Sequence, residues 1–284
     1  MIHINNVSKT FRRHKVLDAI NLNIKAGDRI ALVGSNGSGK TTLIRCLLGE
    51  YIHEGEILVD QLSPRENRQQ VLKRISFVPQ IAPPLRMPVN QLIRFSAEVC
   101  KTDPATIHAV CASLGLDTKQ IKSQAFVKLS GGQKQKLLIS IALGRDSKLL
   151  IMDEPAANLD PEARHYFFKL LAEKQKDTAM IISSHRLDEV AALVNRVVEL
   201  DQGKIVLDDR VADQVDMDSI LNCKIKLVRA DTAFAATIKE WGFTSYDHGI
   251  CWNGEVVGAD RLRFLGVLSR YAGILNGIHL QEKK

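Results

Sequence analysis

The segment from Gly34 to Thr41 constrains this chain more than any other part of its sequence. It matches the pattern G-x-x-x-x-G-K-[ST]. The apolar run Arg29–Val33 precedes it and a run with helical apolar spacing follows it, so it is predicted to join a strand to a helix. Such a loop points backbone N–H groups at phosphate oxygens, and the helix N-terminus favours negative charge. The sequence therefore predicts a phosphate-binding loop.

Two side chains of this loop have a specific task in that prediction. Lys40 supplies a positive charge for the β and γ phosphates of a nucleotide, and Thr41 supplies a hydroxyl that can bind Mg²⁺. A chance match has a probability on the order of one per cent in a chain of this length. We expect the nucleotide to contact Gly34, Ser35, Asn36, Gly37, Ser38, Gly39, Lys40, Thr41 and Thr42.

The rest of the chain alternates short β-rich runs with longer helical patterns, which is typical of an α/β fold with a largely parallel sheet. Antiparallel strands are predicted before the phosphate-binding loop. A proline-rich segment, 83–88, opens an inserted helical subdomain at about 81–145. Further buried strands are predicted at Ile75–Val78, 149–152 and 179–182.

A composition shift marks the predicted domain boundary. After a predicted strand at 204–207 the chain is rich in aspartate, at positions 208, 209, 213, 216 and 218. We therefore place one domain at 1–215 and a small α+β domain at 216–284. The second has the predicted order βαββαβ, with a hairpin turn at Asn253-Gly254, and matches a ferredoxin-like domain.

Composition places the chain among ordinary globular proteins, with 45% hydrophobic and 25% charged residues. Its net charge of +7 suits a nucleotide, a nucleic acid or an anionic membrane face, and equally a basic cytosolic protein. Five cysteines without a C-x-x-C pair argue against a zinc site and a disulfide framework, and favour a reducing compartment. With neither a signal peptide nor an apolar run of about 18 residues, we expect a soluble protein that can dock on a membrane protein.

Two carboxylates follow the apolar run 149–152. Asp153 and Glu154 are predicted to emerge at the carboxyl end of a buried parallel strand, where α/β sheets bind their ligands. Asp153 is suited to hold Mg²⁺ through water, and Glu154 to polarise a water that attacks the γ-phosphate. The alternative is a pair of acidic turn residues before Pro155, which is less probable in a chain with a phosphate-binding loop.

The sequence Leu129-Ser130-Gly131-Gly132-Gln133 opens a predicted helix. Ser130 alone could be a helix N-cap, but glycine is unfavourable inside a helix unless something must approach the backbone closely. Together with the two motifs above, this segment resembles the signature of the ATP-binding cassette (ABC) ATPases. The resemblance covers about residues 1–210 and implies an ABC-type P-loop fold that uses ATP and Mg²⁺.

The resemblance also implies roles for four single residues. Phe11 matches an aromatic that stacks on adenine, although a hairpin or core aromatic explains it nearly as well. Gln80 matches a glutamine that senses Mg²⁺ and the attacking water, and is otherwise a polar loop residue. Asp160 matches a loop aspartate that reaches across a dimer, and it is also an ideal N-cap. His185 matches a switch histidine on the γ-phosphate, against a structural histidine near a strand end.

In the family, a phosphate-binding loop and a signature act on one nucleotide from different subunits. The resemblance thus implies a homodimer or an ABC heterodimer in which Ser130, Gly131, Gly132 and Gln133 contact the γ-phosphate held by the partner. One departure is Lys134-Gln135-Lys136, where arginine is commoner, and another is Ile141 in place of an arginine. Since arginine and lysine differ in bidentate contacts, we expect an altered helix-surface contact and an intact catalytic set.

The implied partner is a separate transmembrane permease, most like those of export-type transporters, docking near Gln80 and 81–88. This places the chain on the cytoplasmic face of the membrane, with no nucleic acid expected. A soluble ABC ATPase acting on nucleic acid or ribosomes is the alternative, disfavoured by the single cassette and the lack of a long heptad insertion. A nucleotide-dependent regulator that hydrolyses little is a third possibility.

Overall fold

The computed structural model describes residues 1–174, 177–185, 187–210, 220–257, 260–269 and 271–282. The chain divides into two compact units, which are described separately. The first comprises Met1–His185 and Leu193–Val211, and the second Arg186–Ala192 and Ala212–Lys284. The predicted boundary at 215–216 lies outside the described residues, so the domain limits stay a prediction.

The first unit combines nine strands with six helices in the part of the chain that the structure describes. The strands are β1 (Ile2–Phe11), β2 (His14–Ile24), β3 (Arg29–Val33), β4 (Glu54–Val59), β5 (Ile75–Val78), β6 (Leu149–Asp153), β7 (Ala179–Ser183), β8 (Arg196–Asp201) and β9 (Lys204–Arg210). The helices are α1 (Lys40–Leu47), α2 (Arg68–Leu72), α3 (Val89–Cys100), α4 (Pro104–Ser113), α5 (Gly131–Leu143) and α6 (Pro161–Ala172).

A six-stranded sheet forms the centre of this unit, in the order β5-β6-β7-β3-β8-β9. The first five strands in that order are parallel, and β9 pairs antiparallel with β8. Strands β6 and β7 are buried along their whole length, which explains why they are continuous apolar runs. Because β7 lies between β6 and β3, the segments that follow these three strands meet at one edge of the sheet.

A second, antiparallel sheet of the order β2-β1-β4 shares its core with the central sheet and α1. Along the start of β1, buried Ile2 and Ile4 alternate with exposed His3 and Asn5, as expected for a strand with one covered face. The predicted α/β fold with a parallel core sheet and an antiparallel β subdomain is confirmed.

The helical segment between β5 and β6 has an apolar core of its own. It contains α3, α4, a 3₁₀ turn at Phe126–Lys128 and α5, and wholly buried Phe126 lies at its centre. Asp103 caps α4 by accepting a hydrogen bond from the backbone N–H of Ala105 (2.8 Å), just before Pro104. The signature segment is thus the start of a helix that packs within this subdomain.

The predicted aspartate-rich connection begins later than expected. Strand β9 continues to Arg210, so Asp208 and Asp209 lie in the sheet. Asp208 accepts two hydrogen bonds of 2.7 Å from the guanidinium of Arg196, which is buried on β8, and these bonds raise the pKa of Arg196. Asp208 lies in a strand because its carboxylate is paired with Arg196 on β8. The sequence does not reveal this pairing, which explains why the strand was predicted to end too early. Positions 213, 216 and 218 lie outside the described residues.

The second unit contains a four-stranded antiparallel sheet in the order β11-β12-β10-β13. Its core is aromatic, with buried Trp252, Phe234 and Phe264. The order βαββαβ is the predicted one, while the ferredoxin-like classification stays a prediction. Its elements are α7 (Leu187–Val190), β10 (Ile220–Leu227), α8 (Thr232–Lys239), β11 (Thr244–Tyr246), β12 (Cys251–Val257), α9 (Arg261–Ser269) and β13 (Leu275–Glu282).

The predicted hairpin turn at Asn253-Gly254 is wrong, because both residues lie inside β12. The chain turns instead between β11 and β12, where Asp247, His248 and Gly249 have positive φ angles of 55°, 54° and 83°. Gly254 serves packing, since a Cβ there would lie 2.4 Å from the ring of Phe243. Close approach of an aromatic ring explains this glycine, and turn geometry does not.

Candidate nucleotide-binding site

The phosphate-binding loop lies between β3 and α1, as predicted. Gly34 and Gly39 have φ angles of 146° and 112°, and both are pressed against neighbouring backbone. A Cβ at Gly34 would lie 2.2 Å from the carbonyl oxygen of Leu200, and one at Gly39 would lie 2.9 Å from that of Val16. Gly37, with φ of 85°, faces open space within 4 Å. The loop is therefore packed against β8 and β2 on one side and open on the other.

Lys40, at the start of α1, is buried with its ammonium inside the curve of the loop. Its Nζ donates to the carbonyl oxygens of Gly34 (2.8 Å) and Ser35 (3.0 Å). The buried hydroxyl of Ser38 has no hydrogen-bond partner in the described part of the chain. An unpaired buried hydroxyl costs about 1–3 kcal/mol, so a site with such a group and a buried cation fits an anion with several oxygens.

Asp153, at the end of β6, is a buried carboxylate held by two hydroxyls. Thr41 donates to its Oδ2 (2.8 Å) and Ser183 donates to its Oδ1 (2.5 Å). Asp153 is 2% exposed and forms no ion pair with lysine or arginine among the described residues. Hydroxyl and carboxylate oxygens are the ligands that Mg²⁺ prefers, so Thr41 and Asp153 fit the ion that the resemblance implies.

Glu154 follows in a strained backbone conformation, with φ of 49°. Its N–H donates to the hydroxyl (3.0 Å) and the carbonyl (3.2 Å) of Ser183. His185 Nδ1 lies 3.0 Å from Glu154 Oε2, so an Nδ1–H at this position donates to the carboxylate. A left-handed glutamate costs about 1 kcal/mol or more, and such strain persists where neighbours hold it and is common at active sites.

An open cleft of about 540 Å³ brings nine of the nineteen predicted site residues together. Sequence reasoning missed two of its lining residues, His14 and Val16, at the start of β2. No motif marks them, since their place follows from the packing of β2 against the loop. A larger cleft of about 1090 Å³ lies in the helical subdomain and contains none of the predicted site residues. The 540 Å³ cleft is lined by His14, Val16, Asn36, Gly37, Gly39, Lys40, Thr41, Thr42, Gln80, Asp153 and Glu154.

Phe11 lies apart from the lining of this cleft. Its ring packs edge-on against Tyr51 with centroids 5.2 Å apart, and Lys9 Nζ lies 4.6 Å from its centroid. Phe11 is 39% exposed, so part of its side chain is accessible to a ligand. The adenine-stacking role of Phe11 stays a prediction.

The signature segment forms a capping box at the start of α5. Ser130 Oγ accepts the N–H of Gln133 (3.2 Å), and Gln133 Oε1 accepts the N–H of Ser130 (3.0 Å). Gly131 has open space within 4 Å, while a Cβ at Gly132 would lie 3.2 Å from the carbonyl oxygen of Asn158. The N-cap interpretation of Ser130 is therefore correct for the isolated chain. A contact with a nucleotide on a partner stays a prediction.

The segment after Glu154 is tied to this signature helix. Gln135 Nε2 donates to the carbonyl oxygen of Pro155 (2.9 Å), and Lys136 Nζ forms a 2.7 Å ion pair with Asp160. Asp160 also caps α6 through the N–H of Ala163 (2.9 Å). The bond from Lys136, followed by that from Ala163, lowers the pKa of Asp160. Lys136, one of the departures from the family pattern, thus contacts an acid of its own chain.

Comparisons with known proteins agree with this geometry. The sequence model of the family described as "ABC transporter" matches residues 17–157. An aliphatic sulfonates import ATP-binding protein, SsuB 1 of Pseudomonas syringae pv. tomato, is 32% identical over 213 residues, which span 74% of each chain. This chain belongs to the ABC transporter family. The resemblance predicted from the sequence is confirmed.

Other ABC proteins match over a similar part of the chain. The Nod factor export ATP-binding protein I of Rhizobium etli is 29% identical over 79% of this chain and 72% of its own length. Human ATP-binding cassette sub-family A member 10 is 33% identical over 72% of this chain, but the match spans only 14% of that protein. The solved dimeric cassette MJ0796, in a post-hydrolysis state with ADP and phosphate, has a TM-score of 0.66 at 21% identity, covering 75% of this chain and all of that one, which supports the fold.

In the part of the chain that the structure describes, we find no helix with the length and apolar character needed to cross a bilayer. The family and the fold of this chain rest on the sequence and structure matches above.

Proposed function

We propose that this chain binds and hydrolyses ATP as the nucleotide-binding subunit of an ABC transporter, and that a separate membrane permease uses the conformational change that ATP binding and hydrolysis produce. The observation that supports this most directly is the cleft in which Lys40, Thr41, Asp153 and Glu154 converge. A cation, a hydroxyl and two carboxylates with separate environments are the groups that phosphoryl transfer to water requires.

In this proposal, the backbone of the loop and Lys40 bind the β and γ phosphates. Thr41, Gln80 and Asp153, the last through water, would hold Mg²⁺, which neutralises charge between those phosphates when bound. Thr42 would contact the phosphates from the first turn of α1, and Phe11 would stack on adenine. Binding therefore uses residues from β1, α1 and the ends of β5 and β6.

Glu154 is proposed to take a proton from the attacking water. The new bond joins the water oxygen to the γ-phosphorus, the bond to the bridging oxygen breaks, and ADP and phosphate leave. The hydrogen bond between His185 and Oε2 of Glu154 orients this carboxylate, and the exposed part of the His185 ring is free to contact the γ-phosphate. Most of the catalysis is then positioning and charge stabilisation.

The signature segment that completes each site is proposed to come from a second copy of this chain or from a related ABC chain. Ser130 and the glycines after it lie outside the cleft lined by Lys40, so each site would be completed by the signature of a partner. Asp160 would lie near the boundary between the two chains. Such a dimer would act at the cytoplasmic face of a membrane. Relatives named for import and for export both match, so the proposal names no direction, and the export-type assignment stays a prediction.

The Glu154→Gln variant tests the proposed base. We expect it to bind ATP with wild-type affinity, to lose at least about 100-fold in turnover, and to accumulate as an ATP-bound dimer, because the site closes but cannot complete hydrolysis. Phosphate release and size-exclusion chromatography with ATP measure these results. Glu173→Gln, at an exposed carboxylate after α6, is the matched control. Wild-type turnover in Glu154→Gln would refute the assignment.

A further inference from the structure

Ser183 is a buried serine that contacts both carboxylate residues of the candidate site. It is the last residue of β7 and is paired in register with Asp153 at the end of β6. Its hydroxyl donates to Asp153 Oδ1 (2.5 Å) and accepts the N–H of Glu154 (3.0 Å). A hydroxyl can donate and accept at once, so one oxygen atom joins the two adjacent acids.

These two contacts fix different features of the site. Thr41 holds the Oδ2 atom of Asp153 and Ser183 holds Oδ1, so the carboxylate plane is set from both sides. The O–H···O⁻ distance of 2.5 Å is that of a charge-assisted bond. The bond from the Glu154 N–H supports the positive φ at that residue, which aims the glutamate side chain.

The cleft lining does not include Ser183. Any effect of its hydroxyl on a bound nucleotide must therefore pass through Asp153 or Glu154. Another strand of the same sheet offers a contrast: Ser76 on β5 is also buried, yet its hydroxyl has no hydrogen-bond partner in the described part of the chain. Burial of a serine in this sheet does not by itself require a bonded hydroxyl.

From this geometry we infer that Ser183 is a positioning residue of the hydrolytic site, whose hydroxyl holds Asp153 for the metal and Glu154 for the attacking water. The inference rests on the proposed ATP hydrolysis. It assigns Ser183 a role of its own, in addition to its position two residues before His185. It also predicts that the loss of one buried oxygen atom changes the Mg²⁺ dependence and the turnover together.

The test compares Ser183→Ala with Ser76→Ala, which removes the same atom from a buried serine whose hydroxyl has no hydrogen-bond partner among the described residues. Mutation of groups that orient metal ligands typically lowers metal affinity or activity about 10–100-fold. We therefore expect Ser183→Ala to lower kcat at least about tenfold and to raise the half-saturating Mg²⁺ concentration severalfold. At saturating Mg²⁺ the KM for ATP should change less than kcat, because the loop that binds the phosphates is unchanged. Ser76→Ala should match the wild type in all three.

A second readout does not depend on turnover. Titration with a fluorescent ATP analogue, with and without Mg²⁺, should show that Ser183→Ala loses part of the affinity gained from Mg²⁺ and keeps the Mg²⁺-free affinity. Ser183→Thr retains the hydroxyl and should restore both readouts to within about threefold of the wild type. If Ser183→Ala is not recovered folded, as judged by thermal unfolding, Ser183→Cys is measured by the same criteria, since it keeps the shape and only a weak donor.

The inference is overturned if Ser183→Ala behaves as Ser76→Ala does in kcat and in Mg²⁺ dependence. A folded wild type that fails to hydrolyse ATP would instead refute the proposed function. In that case the Mg²⁺-dependent nucleotide titration still decides whether Ser183 orients Asp153, so the two failures are distinguishable.

Discussion

Two glycines of the phosphate-binding loop, Gly34 and Gly37, have different structural roles, and the motif specifies glycine only at the first of them. Gly34 lies against the backbone of β8, where a Cβ would be 2.2 Å from a carbonyl oxygen. Gly37 has a positive φ but open space around it. The first glycine is required by packing and by its φ of 146°, and the second by backbone conformation alone.

Alanine at these two positions gives a matched pair. We expect Gly34→Ala to lower the free energy of unfolding by about 2 kcal/mol or more, because the loop must move away from Leu200. Gly37→Ala should cost about 1 kcal/mol, from its φ of 85° alone. Thermal or denaturant unfolding measures both, and equal losses would contradict the difference that the packing implies.

The sequence could predict a site residue only where a motif or a strand end fixes its position. Lys40, Thr41, Asp153 and Glu154 were predictable because motif and strand end together fix their place, and the structure brings them to one cleft. His14 and Val16 carry no motif and reach the cleft through the packing of β2. Phe11 was chosen by resemblance; it lies outside the lining, and its ring packs on Tyr51.

At the scale of elements, a cluster of ion pairs at one edge of the central sheet connects β8 and β9 to Asp28, which precedes β3. Arg196 on β8 donates to Asp208 on β9 (2.7 Å) and to Asp28 (2.9 Å), which is 3% exposed. Arg210 contacts the same Asp28 at 3.0 Å, but its side chain is 57% exposed. Removing one member of a buried pair leaves an unpaired charge, whereas an exposed pair contributes little.

This difference predicts unequal effects from two similar substitutions. Arg196→Ala should lower the free energy of unfolding by roughly 3 kcal/mol, because Asp28 stays buried without its nearest cation. Arg210→Ala should cost less than about 1 kcal/mol. Urea unfolding of both variants measures this, and a loss in Arg210→Ala as large as that in Arg196→Ala would show that the burial difference does not set the stability.

Elements themselves were predicted where the hydrophobic pattern was long and uniform. Four of the five parallel strands, β3, β5, β6 and β7, were predicted from their apolar runs, whereas β8, which carries Arg196 and Glu199, was not predicted. The turn at Asn253-Gly254 was wrong because a glycine beside a phenylalanine ring and a glycine in a turn look the same in one sequence. The extent of β9 was missed since the partner of Asp208, Arg196, is apparent only in the folded sheet.

For the whole molecule, the proposed function requires that one chain holds half of each of two active sites. Ser130 caps its own helix in the isolated chain, so that contact alone does not reveal a role on a partner's nucleotide. Ser130→Asp separates the two roles, since aspartate is as good an N-cap as serine but adds a negative charge facing any phosphate. Ser130→Asn is the neutral N-cap control.

The most direct measurement is complementation between two inactive variants. Lys40→Ala lacks a working phosphate-binding loop and Ser130→Asp lacks a working signature, so each alone should have almost no ATPase activity. In a mixed dimer, the intact loop of one chain meets the intact signature of the other. Mixing equal amounts should restore about one quarter of the wild-type rate if the sites act independently, because half of the dimers are mixed and each regains one site of two. Full activity in Ser130→Asp alone, or no gain on mixing, would contradict the composite site.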